Sequence, residues 1–313
     1  MDAREKLRDI GENMARVMVG KEPVIELALT CLLCRGHLLI EDVPGIGKTT
    51  LAASLARSLG CSFHRIQFTP DVMPSDITGF NAVNVATGEF TYHPGAVMSQ
   101  LVLADEINRT SPKTQSSLLE AMQENQVTVD QVTYALPQPF MVMATQNPVD
   151  YIGTYPLPEA QMDRFFMRLS IGYPSWEEEL GILERFENNL DPLDALRPVA
   201  SAEDILALQG QLDQVACQGP VKEYIVRIVT RTREHEDLAL GVSPRGAIAL
   251  MRAAKGWALL HGRDYTLPDD VQQMLLPVLS HRVVLKPEAR LKEMTAERVL
   301  KGVVNSLQVP GIR

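Results

Sequence analysis

The chain has 313 residues, 45% hydrophobic and 22% charged, enough to bury a full core and to divide into one larger and one smaller unit. A formal net charge of -9 argues against a main surface built to neutralise nucleic-acid phosphates, although a local basic pore stays open. Four irregularly spaced cysteines exclude a disulfide framework of the secreted kind and fit a reduced, cytoplasmic protein.

In chain order, residues 1–16 are charged throughout and lack the apolar stretch of a signal peptide, and no later apolar run reaches membrane-spanning length. Cys31 and Cys34 form a CxxC at the end of the apolar run 25–33. No second pair completes a zinc site, so they read as buried helix positions. From 37 to 171, short apolar runs recur between amphipathic stretches, at 37–41, 63–68, 101–105, 140–145 and 167–171. That alternation predicts a parallel α/β sheet. Residues 80–92 break it: Val83-Asn84-Val85 and Phe90-Thr91-Tyr92 flank Ala86-Thr87-Gly88-Glu89, a hairpin pattern. Residues 127–136 predict a second hairpin, turning at Asp130-Gln131. After Tyr173-Pro174 the strand signals stop. Ser175 with Glu178 and Ser201 with Asp204 open helices as capping boxes, and Val221, Tyr224, Ile225, Ile228 and Val229, then Leu300, Val303, Val304 and Leu307, keep a 3.6-residue period. The expected organisation is an α/β core over residues 1–174 and an all-helical domain over 175–313, with 188–198 as a loop inside the latter.

Directly after the run 37–41 comes Asp42-Val43-Pro44-Gly45-Ile46-Gly47-Lys48-Thr49-Thr50, followed by a helical segment. This is the strand, loop and helix setting of a phosphate-binding loop. Glycines let the backbone approach phosphate oxygens, and the amides from Gly45 to Thr50 would converge at a helix N-terminus. Lys48 would bridge the β- and γ-phosphates of a nucleotide and the Thr49 hydroxyl would ligate Mg²⁺. One position departs from the usual pattern, since Asp42 stands where the first glycine is expected. The run Leu101-Val102-Leu103-Ala104-Asp105-Glu106 supplies a buried strand ending in two acids. Asp105 would hold water in the Mg²⁺ shell and Glu106 would polarise the attacking water. Asn147, at the end of the run from Phe140, could bond that water or the γ-phosphate, or simply begin an Asn-Pro turn. Arg164, beside Asp163 and Phe165, and Arg245, after the helix-start pair Ser243-Pro244, are candidates to meet an external anion. An arginine in a first helical turn gains nothing from the macrodipole. Each competes with a plain surface arginine, as does Arg109.

Together these residues resemble AAA+ ATPases and in detail the MoxR family. The resemblance runs from about Val19 to the C-terminus through VPGIGKTT at 43–50, DEINR at 105–109, LLEAMQE at 118–124, ATQNP at 144–148, LPEAQMDRF at 157–165 and SPR at 243–245. It implies a five-stranded parallel core, a helical lid, and the 80–92 hairpin as a helix-2 insert. It also implies a homohexameric ring with ATP and Mg²⁺ at subunit interfaces. Pro44 through Thr50 and Asp105 with Glu106 match the nucleotide motifs, Asn147 the first sensor, Arg164 the arginine finger and Arg245 the second sensor. Val19 and Gly20 match the segment bordering adenine. MoxR-like proteins are regarded as chaperones that activate client enzymes, often with a von Willebrand factor A domain partner. The hairpin would then face the ring opening or a partner through Phe90 and Tyr92, or else pack on the adjacent helix. The rival readings are a nucleic-acid motor, disfavoured because 80–92 holds no Lys or Arg, a small-molecule kinase, and a nucleotide-gated scaffold with negligible turnover.

Overall fold

The computed structural model describes residues 3–85, 88–148, 153–187 and 191–311. Two helices come first, α1 (Ala3–Ala15) and α2 (Glu22–Leu33). The α/β part follows as β1 (Leu38–Glu41), α3 (Lys48–Ser58), β2 (Phe63–Gln67), α4 (Pro74–Thr78), β3 (Gly79–Val83), β4 (Phe90–Pro94), β5 (Leu101–Asp105), α5 (Pro112–Glu124), β6 (Gln126–Val129), β7 (Val132–Ala135), β8 (Met141–Gln146), α6 (Glu159–Met162) and β9 (Met167–Leu169). Five of these strands form one parallel sheet in the order β2-β5-β8-β1-β9. These are the five runs expected from the sequence, with β9 shorter than 167–171 because the residues after Leu169 turn their donors to a side chain described below.

The period of two along each strand divides the core between the two faces of the sheet. Leu38 and Ile40, Leu101 and Leu103, and Met141 and Met143 join a cluster with α1, α2, α3 and the C-terminal helices. Leu39, Val102 and Val142 point the other way, onto Ile77, Leu118, Leu119 and Met122.

Both hairpins form. β3 pairs antiparallel with β4 in the register Phe80↔His93 and Val83↔Phe90; Ala86 and Thr87 of the expected turn lie outside the described residues. β6 and β7 turn at Asp130 and Gln131, both left-handed at φ 46° and 72°, the geometry that matches the twist of a two-residue hairpin. The Tyr92 ring stacks on Tyr134 at 3.9 Å and its hydroxyl donates to the carbonyl of Thr78 at 2.6 Å, so Tyr92 joins the two ribbons. Phe90, by contrast, is 74% exposed. The two expected contact residues of the hairpin therefore separate into one that packs and one that is presented.

The lid comprises α7 (Trp176–Glu187), α8 (Ala202–Gln211), α9 (Gly219–Arg233), β10 (Leu238–Leu240), α10 (Pro244–Leu260), α11 (Pro268–Leu279), β11 (Val284–Leu285), α12 (Pro287–Leu291) and α13 (Ala296–Asn305). It is helical apart from the short antiparallel β10–β11 ribbon. α10 packs on α2, so the apolar cluster runs without a break from the sheet into the lid. Cys31 and Cys34 are buried in it, and burial pushes the Cys34 thiol up to about 12. Among the described residues no group of three or more His, Cys, Asp and Glu is arranged to hold a metal, and no helix is long and apolar enough to cross a membrane.

His37 ties three elements together just before β1. Its Nε2 lies 2.9 Å from the Met122 carbonyl, its Nδ1 accepts from the Val142 amide at 3.0 Å, and its own carbonyl accepts from the Phe166 amide at 2.8 Å. The ring must be neutral with the proton on Nε2, and burial lowers its pKa to about 4 despite the bond to Met122. The unfolded chain binds this proton near 6.5, so between about 6.5 and 4 the unfolded state holds more protons and stability falls as pH falls. This group alone removes roughly 3 kcal/mol across that window. Urea titrations from pH 7 to pH 4 should show that loss, and His37→Gln, which keeps a donor and an acceptor without titrating, should flatten it. An unchanged pH slope in the variant would show that the ring does not carry the effect.

Candidate active site

The loop after β1 needs two left-handed residues, and glycine fills both. Gly45 has φ 86° and open space where a Cβ would stand, while Gly47, at φ 93°, is the N-cap of α3. Lys48 is therefore the first residue of a helix whose leading amides are free of intrahelical partners. The Lys48 side chain is largely buried, and its ammonium donates to the carbonyl of Asp42 at 2.6 Å. Burial lowers the Lys48 pKa, and the nearby charges of Asp105, Asp42 and Glu106 pull it back up.

Those acids sit at the end of β5, one strand away from β1 across β8. Thr145 of β8 bridges them: its hydroxyl donates to Asp105 Oδ1 at 2.6 Å and accepts from the Glu106 amide at 2.9 Å. Asp105 Oδ2 accepts from Arg65 of β2 at 2.7 Å. Glu106 leaves the strand in a left-handed conformation, φ 58°, which costs a non-glycine residue about 1 kcal/mol or more. Its carboxylate is held by Gln67 Nε2 at 2.9 Å and by Arg109 Nε at 3.3 Å, so Arg109 is an ion-pair partner of Glu106. Asn147 is buried directly past the end of β8, beside Gln146, whose amide donates to Glu41.

A cavity of about 400 Å³ opens beside the loop, lined by Met18, Val19, Gly45, Ile46, Gly47 and Thr50 and, from the lid side, by Glu177, Gly181 and Ile182. Pro44 and Thr49 adjoin it in the chain. Gly20 does not line it; a Cβ there would overlap Glu178, which is paired with Lys21 at 3.2 Å, so glycine lets α7 approach. Beside this apolar slot, two left-handed glycines, the helix-start amides, the Lys48 ammonium and the carboxylates of Asp105 and Glu106 near it form a set that fits a nucleoside triphosphate with a divalent cation.

Arg164 and Arg245 are not in that cavity. Together they line a second one of about 330 Å³ that shares no residue with the first. Arg35, Arg252 and Arg282 line it too, and among the described residues its only carboxylate is Asp163. Arg282 pairs with Asp163 at 2.7 Å and also donates to the carbonyls of Phe165 at 2.7 Å and Phe166 at 3.1 Å. It pins the segment carrying Arg164 to the lid. Arg245 sits in the first turn of α10, where the Ser243 hydroxyl accepts from the Gly246 amide at 3.2 Å and Pro244 opens the helix. Arg252, two turns on, shares its face. Among the described residues no carboxylate pairs with Arg35, Arg164 or Arg245.

Comparison with known proteins shows the family of the chain. The model of the ATPase family associated with various cellular activities (AAA) matches residues 37–167, and an AAA lid domain model matches residues 230–302. Chaperone MoxR1 of Mycobacterium tuberculosis is 41% identical over 95% of this chain and 80% of its own length, and protein MoxR of Paracoccus denitrificans is 30% identical over 91% of each. This chain belongs to the MoxR family of AAA+ ATPases. YeaC of Bacillus subtilis, an uncharacterised protein, is 54% identical over 96% of this chain and 93% of its own. A solved structure of a candidate ATPase from Cytophaga hutchinsonii superposes with a TM-score of 0.92 at 37% identity, covering 99% of this chain and 96% of that one.

Sequence reasoning missed Thr145, Arg65, Gln67 and the three further arginines of the second cavity. Thr145 lay within the expected run 140–145 with no signal to distinguish it. Arg252 alone had one, its seven-residue spacing from Arg245 along a helix. Arg282 stabilises through a buried ion pair, and removing one partner of such a pair costs roughly 3–5 kcal/mol. Arg282→Met should therefore lower unfolding free energy by that order in denaturant titration. A loss below about 1 kcal/mol would mean that the pair contributes no more than an exposed one.

Proposed function

We propose that this MoxR-family chain hydrolyses ATP with Mg²⁺ at the interfaces of a homohexameric ring in the cytoplasm. The cycle remodels or activates client enzymes together with a von Willebrand factor A domain partner. The observation that carries the interface reading is the division of the machinery between two cavities. Among the described residues, Arg164 and Arg245 line a cavity that holds no phosphate-loop residue, and the arginines beside the acid pair, Arg65 and Arg109, are already paired with Asp105 and Glu106. A single chain so built carries a cationic patch away from its own phosphate loop.

In this reading the Pro44–Thr50 loop and Lys48 hold the phosphates, with Val19 and Gly20 on the adenine side. Thr49 and Asp105 would hold Mg²⁺, which when bound neutralises charge on the β- and γ-phosphates. Glu106 takes a proton from the attacking water and Asn147 orients that water. Arg164 and Arg245 face the triphosphate of the adjacent subunit and stabilise charge on the transferred group. Supporting protein over nucleic acid as the client are the exposed Phe80, Val83 and Phe90 on a ribbon that carries no Lys or Arg.

Two variants and a dilution series test this. Lys48→Ala should abolish measurable ATP binding, because its ammonium offsets charge on two phosphates. Glu106→Gln should bind ATP normally and turn it over roughly 10² to 10⁴ times more slowly, since only the base is lost. Specific activity of the wild-type protein should fall as dilution separates subunits. Equal loss of binding in both variants would make Glu106 a structural residue, and full activity in diluted monomers would contradict the interface reading.

A further inference from the structure

Asp42, the one departure from the usual phosphate-loop pattern, is bonded through every polar group it has. Its carbonyl accepts from Lys48 Nζ at 2.6 Å, and its amide donates to the Gln146 carbonyl at 3.2 Å, next to Asn147. Its side chain reaches from the loop to the segment after β9. Oδ2 accepts from Ser170 Oγ at 2.7 Å, the Ile171 amide at 2.8 Å and the Gly172 amide at 2.9 Å, while Oδ1 accepts from the Val43 amide at 3.1 Å. Residues 170–172 are the strip that leaves β9 for the lid, four residues before α7 begins at Trp176. Burial by itself would raise the Asp42 pKa, but the bonds from Gly172, Ser170, Val43 and Ile171 outweigh it and hold the carboxyl below its ordinary range.

We propose that Asp42 is a positioning residue that couples occupancy of the phosphate loop to the orientation of the lid. The inference rests on the reading of the loop as an ATP site. The main chain of residue 42 touches the lysine that phosphate oxygens would claim, and its carboxylate grips the strip that sets the angle of α7. When Lys48 turns to phosphate it gives up the Asp42 carbonyl, and the shift at residue 42 passes through three short charge-assisted bonds to residues 170–172. A glycine at 42 would hold Lys48 through the same carbonyl and have nothing with which to grip the strip. The first cavity is walled by α7, so a moving lid changes both the nucleotide pocket and the face offered to the next subunit.

The main-chain and side-chain bonds of Asp42 can be separated by mutation. In full-length protein carrying Trp257→Phe, Trp176 is the sole tryptophan and, at 80% exposure, reports on the start of α7. Three quantities are measured in wild type, Asp42→Ala and Asp42→Asn: affinity for a non-hydrolysable ATP analogue, the analogue-induced change in Trp176 emission, and kcat. Hydrogen exchange at Ile171 and Gly172 is followed without nucleotide. Asp42→Ala should keep its affinity within about threefold, lose most of the Trp176 response, lower kcat by roughly tenfold or more, and speed exchange at both amides. Asp42→Asn keeps an acceptor oxygen toward the two amides and should recover most of the response and the turnover. A Trp176 signal that ignores nucleotide in the wild type overturns the proposal. So does an alanine variant with normal response and turnover, or one whose loss of turnover is only loss of binding. A wild type that binds the analogue but never hydrolyses ATP defeats the enzymatic reading instead, and the Trp176 and exchange measurements still decide the coupling.

Discussion

The hydrogen-bond ladder that seats β8 between β1 and β5 is the constraint on which the site depends. The phosphate loop leaves β1 and the acid pair ends β5, and neither strand touches the other. β8 brings Thr145 to both acids and presents Gln146 to Glu41 and to the amide of Asp42. Parallel strands place all their C-terminal ends on one edge, so chemistry drawn from segments about 100 residues apart meets in one crevice. The apolar alternation that buries Leu39, Val102 and Val142 on one face and Leu38, Leu103 and Met143 on the other fixes that register, because a shift of one residue would exchange the faces.

Core and lid are joined in two ways with different physical character. The apolar cluster running from α2 into α10 is non-directional and tolerates small rotations. The polar ties are directional: Arg168 bridges Glu41 and Glu297 at 2.9 and 2.6 Å, Arg282 holds Asp163, and Asp42 holds residues 170–172. Each tie ends on a segment next to a nucleotide motif or to Arg164. A change at the phosphate loop therefore has defined routes to the lid, while the apolar contact keeps the two parts together.

Much of this was legible in the sequence wherever function and local backbone geometry coincide in one short segment. The glycines of 45–47 announce left-handed backbone before a helix, Ser243-Pro244 announces a helix start, and Asp130-Gln131 turns a hairpin; all three take those forms. The five strands were legible as apolar runs. What escaped were residues whose meaning comes from partners distant in the chain. Arg282 is 119 residues from Asp163 and Thr145 is 40 from Asp105, and neither carries a local signature. Asp42 was visible only as a departure from a pattern, since its partners at 170–172 lie beyond the sheet. Tyr92 and Phe90, two residues apart and so on the same face of β4, part company because the second ribbon brings Tyr134 onto Tyr92 while Phe90, nearer the turn, stays exposed.

The central claim is that the two cavities, separate in one chain, complete each other between chains. Mixing Arg164→Ala subunits with Lys48→Ala subunits tests it most directly. Each parent lacks one half of the site, but a mixed interface joins an intact phosphate loop to an intact arginine, and such arginines contribute on the order of 10³ to 10⁵ in rate. Partial ATPase activity, rising and falling with the mixing ratio, is the expected result. Mixed assemblies that demonstrably form yet stay as inactive as either parent would contradict the account.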